Sequence, residues 1–325
     1  MIDEPLPGLR TPDAELDRVY AHFRDLDPDG SRTAAVLRRT FDMLLDGPNT
    51  GRYRWDQLFK TEKTHCGTLV EINLQREFKF ADGRKLDYSL CGIEVDCKYS
   101  QDLAKWMIPP EAVNEIILGL WANDKIGVWS AGAIRARPEY LQESQGNRDK
   151  KRQLSKHGRN EIRWLLSDQP LPENVLVHMP PSDVEAVFAK RSGQQRLNEL
   201  LRRAQGRLLT RNVICTVATG DDKPKQDPLK RLRKNGGARD QLRNEGIIIL
   251  GDYINHRIIA EQLGLPIPGD SEFVSIRLTR AAHADRPYVQ LDGEKWTTWQ
   301  PGDPIENAPE LPDLRKLASP LRMPS

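Results

Sequence analysis

The chain has 325 residues, 30% of them charged, and a mean hydropathy of −0.63. These values exclude a membrane-embedded protein, because no segment offers the roughly 18 consecutive apolar residues that a spanning helix needs. The length suits two domains of ordinary size. The acidic start Met1–Glu4 lacks the basic and apolar layout of a signal peptide, so we predict a cytoplasmic protein.

Charge is distributed unevenly along the chain. Residues 1–30 hold eight acidic residues and three arginines, whereas residues 186–245 hold fifteen Lys or Arg and six Asp or Glu. A local excess of nine positive charges is typical of a surface that meets a phosphate backbone. A solvated helical face is the alternative, although such faces usually mix the two signs. The charge pattern therefore favours DNA binding by the second half of the chain.

Helical spacing of apolar residues dominates the first part of the chain. It predicts two helices joined by a turn between Asp13 and Leu45, then a loop at 46–51. A further helix is predicted from Trp55 to about Leu74, where alternating Val70, Ile72 and Leu74 leave its end open.

The pattern changes to period two after this helix. Segments 78–80, 86–90 and 93–99 alternate apolar and polar residues, with turns at Ala81–Gly83 and Cys91-Gly92 between them. This arrangement predicts a three-stranded antiparallel meander.

The rest of the first half is predicted to contain a helix from about Glu111 to Trp121, a strand near Ile126–Ile134 and a charged helix from about Glu143 to Leu166. Two prolines among polar residues at 169–173 then indicate a linker.

The second half is predicted to be a separate domain. Its pattern indicates a basic helix over Val184–Leu209, a short strand at Val213–Val217, a basic loop around 221–237 and a hairpin at Asp292-Gly293. We therefore expect a first domain at 1–168, a linker at 169–173 and a basic DNA-binding domain at 174–325.

The second predicted hairpin carries the most informative residues. If Cys91-Gly92 is a two-residue turn, Tyr88 faces Val95 and Asp87 faces Asp96. Lys98 then projects from the same face as the two acids. Opposed carboxylates destabilise a strand pair unless something neutralises them. A Mg²⁺ ion would do so, with Glu71 from the preceding helix as a third carboxylate.

A surface salt bridge among Asp87, Asp96 and Lys98 is the ordinary alternative, since Asp-x-Lys by itself is a weak motif. The derived pairing, the upstream Glu71 and the basic second half together favour a metal-dependent nuclease.

These residues resemble a known family. Glu71, Asp87 and Asp96-Cys97-Lys98 resemble the PD-(D/E)xK nuclease core, except that Leu86 stands where that motif has proline. The segments DGPNTGRYRWDQL (46–58), KTEKTH (60–65), LVEINL (69–74) and VDCKYS (95–100) are similar to the NaeI restriction endonuclease family.

The resemblance implies a Mg²⁺-dependent homodimer that cleaves double-stranded DNA at a G·C-rich palindrome similar to GCCGGC. It implies that Glu71, Asp87 and Asp96 are metal ligands and that Lys98 is the catalytic lysine. It also implies allosteric activation, with the C-terminal domain binding a second copy of the site.

The implied fold is α/β (α+β): a restriction-endonuclease-like mixed sheet flanked by helices, with a C-terminal helix-turn-helix domain of the winged-helix type. Ile258–Pro266 resembles the first helix and turn of that motif, although an amphipathic core helix explains the segment equally well. The candidate DNA-binding residues are Arg52, Arg54, Arg231, Arg233, Lys234 and Arg239. The first two lie in the 46–54 loop and could instead only stabilise that loop.

Two other functions compete with a type II restriction endonuclease. A nicking repair endonuclease with the same core predicts a monomer that cuts one strand. A DNA-binding regulator with an inactive nuclease core has no need for the opposed acids.

Overall fold

The computed structural model describes residues 12–143, 149–218, 227–233, 235–281 and 286–312. Contacts divide the chain into two compact units. Unit 1 comprises Met1–Leu44 and Trp55–Glu173, and unit 2 comprises Leu45–Arg54 and Asn174–Ser325. The segment 45–54 therefore belongs to unit 2, whereas the predicted domain bounds include it in the first domain, at 1–168.

Helices and strands alternate irregularly along the described residues. The helices are α1 Ala14–Leu26, α2 Ser31–Leu45, α3 Gly47–Thr50, α4 Lys60–Phe78, α5 Lys156–Asn160, α6 Val175–His178, α7 Pro181–Phe188, α8 Gly193–Arg203, α9 Arg211–Ala218, α10 Ala238–Gln241 and α11 Ile254–Gln262. The strands are β1 Ala81–Asp82, β2 Tyr88–Leu90, β3 Ile93–Ser100, β4 Ile116–Asn123, β5 Val128–Arg135, β6 Arg163–Pro170, β7 Leu208–Leu209, β8 Ile247–Gly251, β9 Phe273–Arg280, β10 Tyr288–Leu291 and β11 Glu294–Thr298.

Unit 1 is built on a mixed sheet in which β1 to β6 lie side by side in chain order. Strands β3 and β4 run parallel, with Asp96 opposite Ile117, and the other neighbours are antiparallel. Helix α4 packs against β3, and α1 packs against β5 and β6. The predicted α/β class, a mixed sheet flanked by helices, is confirmed.

The hairpin between β2 and β3 has the predicted register. Tyr88 pairs with Val95 and Leu90 with Ile93. Cys91 and Gly92 both have positive φ, 53° and 75°, as a type I′ turn requires. The Tyr88, Leu90 and Val95 side chains are buried, so this face of the hairpin faces the core.

The start of the meander is displaced from its prediction. Phe78, predicted to open a strand, ends helix α4, and Lys79 caps that helix in the left-handed region with φ 56°. Ala81 and Asp82, predicted to form a turn, pair with Ser89 and Tyr88 instead. The meander therefore exists, but its first strand starts three residues later than predicted.

The helix predicted at Glu111–Trp121 is wrong. Residues Ile116–Asn123 form β4, which lies between β3 and β5 and is buried along almost its whole length. A strand buried on both faces is a continuous apolar run, and periodicity alone does not separate such a run from a buried helix.

The charged helix predicted at Glu143–Leu166 is also wrong. Only Lys156–Asn160 is helical, and Arg163–Pro170 forms β6, while residues 144–148 lie outside the described part of the chain. The predicted linker begins inside this strand, because Gln169 and Pro170 pair with Trp129 and Val128. Proline is tolerated at this position because β6 is an edge strand.

Unit 2 contains helices and a second sheet, in the order β10-β11-β9-β7, with β8 also pairing with β9. The hairpin at Asp292-Gly293 is confirmed, and both of its turn residues have positive φ, 50° and 79°. The predicted strand Val213–Val217 is wrong, since Arg211–Ala218 is helix α9, buried from Val213 onwards. Tertiary packing here overrides the β preference of Val and Ile.

The basic helix predicted over Val184–Leu209 is interrupted. It divides into α7 and α8, and the Ser192 hydroxyl starts α8 by accepting a hydrogen bond from Gln195 N. The placement of a helix-turn-helix at Ile258–Pro266 is wrong: α11 ends at Gln262, and no helix follows between there and β9, a stretch that the structure describes throughout. Ile259, Ala260 and Leu263 pack into the core of unit 2, as the alternative interpretation predicted.

Candidate active site

Strand β3 supplies an acid and a lysine to one site in unit 1. Alternation along the strand places Glu94, Asp96 and Lys98 on the same face. The Asp96 carboxylate is buried, and its Oδ2 lies 2.7 Å from Lys98 Nζ. Lys98 Nζ also donates to the carbonyl of Cys97 at 2.9 Å. The ammonium is therefore held against the strand beside the acid.

Asp87 lies next to this pair, at the residue before β2. Its Oδ2 accepts a hydrogen bond from Cys97 N at 2.7 Å and lies 3.7 Å from Lys98 Nζ. The structure thus brings together the two acids and the lysine that the sequence singled out, on one side of the hairpin. Because β2 begins at Tyr88, Asp87 reaches β3 through its side chain rather than as a paired strand residue.

Glu71 lies at the margin of this cluster, on helix α4. The backbone carbonyl of Glu71 accepts a hydrogen bond from the Tyr88 hydroxyl at 2.7 Å, which ties α4 to β2. Burial raises the pKa of the Glu71 carboxyl, and the nearby charge of Asp87 raises it further, while Lys98 opposes both effects. The carboxyl of Glu71 is thus within electrostatic reach of the cluster.

Burial and the nearby charges shift the pKa values of the groups in this cluster. Burial raises the pKa of Asp96 to about 6, Lys98 opposes this rise, and the charge of Asp87 adds to it. For Lys98, burial lowers the pKa, but Asp96 and Asp87 outweigh burial and hold it above its ordinary value. Lys98 therefore stays protonated at neutral pH.

The cluster fits a hard divalent cation. The buried Asp96 Oδ2 lies close to Lys98, but no hydrogen bond of acceptable geometry reaches it. Among the described residues, no three Asp, Glu, His or Cys side chains are grouped closely enough to hold a metal by themselves. Mg²⁺ does not require such a cage, because it usually takes one or two carboxylates and completes its octahedron with water and substrate phosphate.

The sequence analysis did not single out Glu94. Its carboxylate accepts hydrogen bonds from the backbone N–H groups of Arg84, Leu86 and Lys85, which hold its pKa below the ordinary value. Its spacing of two and four residues from Asp96 and Lys98 was the available signal, since it shares their face of β3. Its partners, however, are loop backbone groups that no sequence pattern indicates.

The two arginines predicted at the loop 46–54 contribute to its conformation. Arg52 donates from Nε to the Leu45 carbonyl at 3.1 Å and to Thr50 Oγ1 at 3.2 Å. The Arg54 guanidinium lies over the Tyr53 ring, 5.4 Å from its centroid. Stabilisation of the loop is therefore one function of these residues.

The remaining predicted DNA-binding residues differ in exposure. Arg233 is exposed and Arg231 half-buried, at the end of a 3₁₀ turn over 228–232. Arg239 is turned inwards: it donates to the Ile249 carbonyl at 3.1 Å, and its buried Nη2 has no hydrogen-bond partner among the described residues. Lys234 lies outside the described residues.

Much of the positive charge on α8 is neutralised within unit 2. Arg202 forms a bidentate pair with Glu245 at 2.8 and 2.7 Å, and Arg203 pairs with Glu199 and Asp183. The count of fifteen basic residues between 186 and 245 therefore overstates the positive charge that this helix presents to a partner.

Comparison with known proteins gives two findings. A family model described as "Restriction endonuclease NaeI" matches residues 17–307. The chain is also 47% identical over 309 residues to a protein from Lentzea aerocolonigenes named "Type II restriction enzyme NaeI", a match that covers 93% of this chain and 95% of that protein. In the described part of the chain, no helix is long and apolar enough to cross a membrane.

Proposed function

The chain belongs to the NaeI restriction endonuclease family and is thus a type II site-specific deoxyribonuclease acting on double-stranded DNA, and we propose that it cleaves at the cluster of Asp87, Asp96 and Lys98. The observation that carries this proposal is the position of the Lys98 ammonium, 2.7 Å from Asp96 Oδ2 and 3.7 Å from Asp87 Oδ2. The two carboxylates can hold a cation, and the ammonium beside them can contact a phosphate oxygen.

In this proposal Asp87 and Asp96 hold Mg²⁺, and Glu71 contributes a third carboxylate through bound water. When bound, Mg²⁺ would polarise the scissile phosphate and lower the pKa of a coordinated water. Lys98 stabilises the negative charge that develops on the phosphate.

For the recognition site and the assembly, family membership is the support for the proposal. We propose a homodimer that cuts both strands of a short G·C-rich palindrome similar to GCCGGC, because a two-fold symmetric site suits a two-fold symmetric enzyme. We further propose that a second copy of the site, bound by the C-terminal unit, activates cleavage.

Unit 2 is proposed as the DNA-binding, effector-site domain. Helix α8 packs against α9 and against β9, a strand that pairs antiparallel with both β7 and β8. This combination supports a winged-helix type of domain. Among the described members of the predicted set, Arg54 and Arg233 are exposed and Arg52 and Arg231 are half-buried, and this accessibility supports contacts with a phosphate backbone.

Cleavage of a supercoiled plasmid tests the proposal. Wild-type protein with Mg²⁺ is expected to give linear DNA with mapped ends at a palindrome, and protein in EDTA is expected to give none. Asp96→Ala is expected to bind the plasmid without cutting it. Open circles alone would favour the nicking alternative, and equal cutting by Asp96→Ala and wild type would remove the site from the mechanism.

A further inference from the structure

A short loop carries Asp87 to its place beside β3. The loop lies between β1 and β2, and three successive backbone N–H groups, those of Arg84, Lys85 and Leu86, donate to the Glu94 carboxylate at 2.9, 3.0 and 2.9 Å. A further hydrogen bond of 3.4 Å joins Gly83 N to the Asp87 carbonyl. One side chain of β3 therefore organises the whole approach to Asp87.

The arrangement uses both oxygens of Glu94. Its Oε1 accepts from Arg84 N, and its Oε2 accepts from Lys85 N and Leu86 N. Successive N–H groups that converge on one anion form a nest, and hydrogen bonds to a charged acceptor are stronger than neutral ones. With both oxygens engaged, Glu94 orders the backbone rather than serving as another cation ligand.

Gly83, the first residue of the loop, lies where the loop leaves no room for a side chain. A Cβ added to Gly83 would lie 2.3 Å from the Leu86 carbonyl oxygen and 2.9 Å from Glu94 Oε2. The loop can therefore close around the Glu94 carboxylate only with glycine at this position.

We propose that Glu94 is a positioning residue for cleavage: by anchoring the backbone of residues 84–86, it fixes the Asp87 carboxylate where Asp87 and Asp96 can share one cation. This inference rests on the proposed function, because it takes those two acids as the cation ligands. Asp96 and Lys98 belong to β3 itself, so the ladder with β4 holds them independently of the loop.

Loss of the Glu94 carboxylate is expected to weaken Mg²⁺ binding in particular. Without the Glu94 carboxylate, the loop loses its three anchors and the hydrogen bond from Cys97 N is left to hold the Asp87 side chain, so Asp87 samples other positions while the rest of the site stays in place. Substitution of a residue that orients a metal ligand typically weakens metal binding about 10–100-fold. A residue with only a structural role would lower the melting temperature without changing the Mg²⁺ concentration at which cleavage is half-maximal.

The test is a Mg²⁺ titration of single-turnover cleavage, with Glu94→Gln and Gly83→Ala compared with wild type. Both variants are expected to shift the half-maximal Mg²⁺ concentration upwards by about 10–100-fold and to recover much of the rate at high Mg²⁺. Glu94→Asp keeps the charge but is shorter, so it is expected to fall between Glu94→Gln and wild type. Unfolding temperature measured against MgCl₂ alone, without DNA, gives a second readout that should show the same shift.

Glu115→Gln is the matched control. The Glu115 carboxylate contacts the same loop, but through the Lys85 side chain at 3.3 Å rather than through the backbone N–H groups that Glu94 holds. It is expected to leave the Mg²⁺ midpoint unchanged.

Two outcomes separate this inference from the proposed function. If Asp87→Asn is inactive but Glu94→Gln and Gly83→Ala both keep the wild-type Mg²⁺ midpoint, the positioning role of Glu94 is wrong and the site stands. If Asp87→Asn cleaves like wild type, the proposed site is wrong, and the inference falls with it.

Discussion

The carboxylate of Asp87 accepts a hydrogen bond of 2.7 Å from the backbone N–H of Cys97, the residue between Asp96 and Lys98. Strand β3 therefore contributes to the site in two ways. Its side chains supply an acid and an ammonium, and its backbone holds the second acid in place. Asp87 itself lies on the loop before β2, so a movement of that loop would break this hydrogen bond and displace the Asp87 carboxylate from Asp96 and Lys98.

Lys98→Met should reduce the cleavage rate at saturating Mg²⁺ by about 10²–10³-fold, the usual loss when one preorganised charge-stabilising donor is removed. DNA affinity measured in EDTA should change little, because the lysine acts on charge that develops during the reaction. Single-turnover cleavage and a binding titration give the two quantities.

Lys105→Met provides the control for this loss. Lys105 pairs with Asp102 at 2.9 Å shortly after β3 and is more than half exposed. Cleavage by this variant should match wild type, and an equal loss in both variants would argue against a specific role for Lys98.

Removal of Mg²⁺ should lower the stability of the wild-type protein but not that of Asp96→Asn. At ten times its dissociation constant, a ligand that binds only the folded state stabilises it by about 1.4 kcal/mol. Asp96→Asn should lose this increment because an amide is a poor ligand for Mg²⁺. Thermal unfolding with MgCl₂ and with EDTA measures the difference.

Asp102→Asn, which changes an exposed acid on the segment that follows β3, should retain the full Mg²⁺-dependent stabilisation. The same increment in Asp96→Asn would place the cation elsewhere.

Acid should weaken the attachment of α1 to the sheet. The Asp13 side chain caps α1 and forms hydrogen bonds with Arg135 at 2.5 and 2.9 Å, and these bonds lower the pKa of Asp13 to about 2. Since the folded pKa lies below the ordinary 3.8, this contribution to stability is complete above about pH 4 and is lost as pH falls towards 2. Asp13→Asn should therefore cost about 1 kcal/mol at pH 7, a value for a solvent-screened pair, and less at pH 2.

Glu15→Gln tests whether that effect belongs to Asp13. Glu15 pairs with the same Arg135 at 2.8 Å, but its side chain is 56% exposed. Urea unfolding at pH 7 should show a smaller loss than for Asp13→Asn, and a larger one would contradict the assignment.

Two glycine-to-alanine substitutions in unit 1 should have opposite signs. At Gly119 in β4, a Cβ would lie 2.3 Å from the Trp106 ring, so Gly119→Ala should destabilise the protein by about 1–3 kcal/mol. At Gly67 in α4 nothing lies within 4 Å of the added atom, so Gly67→Ala should stabilise the helix by about 0.5–1 kcal/mol. Urea denaturation of both variants gives the comparison, and equal effects would mean that packing against Trp106 is not limiting.

Two arginines of unit 2 should separate DNA binding from folding. Arg233→Gln, at an exposed position, should weaken DNA affinity and reduce the slope of log K against log salt by about one. Arg239→Gln removes an inward-facing hydrogen bond to the Ile249 carbonyl, so it should lower the melting temperature and leave the salt slope unchanged. If instead Arg239→Gln reduced the salt slope and Arg233→Gln lowered the melting temperature, the two assignments would be wrong.

Local signals predicted part of this fold well. The Cys91-Gly92 and Asp292-Gly293 turns were predictable because the two-residue hairpin loop needs two residues with positive φ, and the alternation on either side then fixes the register. From that register alone Asp87, Asp96 and Lys98 could be assigned to one face of the hairpin.

Apolar runs were not predictable in the same way. Ile116–Asn123 was expected to be largely helical and is a strand, whereas Val213–Val217 was expected to be a strand and lies in a helix. Each run is buried, and in the interior the neighbouring elements decide between the two conformations. Strand β4 has β3 and β5 to pair with, and α9 packs against α8.

The residue types that make up the site and the turn that aligns them were thus present in the sequence, because dihedral preference and side-chain alternation act between near neighbours. The hydrogen bonds from residues 84–86 to Glu94, the hydrogen bond from Cys97 to Asp87 and the approach of Glu71 were decided only by the tertiary structure. Each joins a side chain to backbone or charge on a different segment, and such contacts depend on how the chain returns upon itself rather than on the order of residues along it.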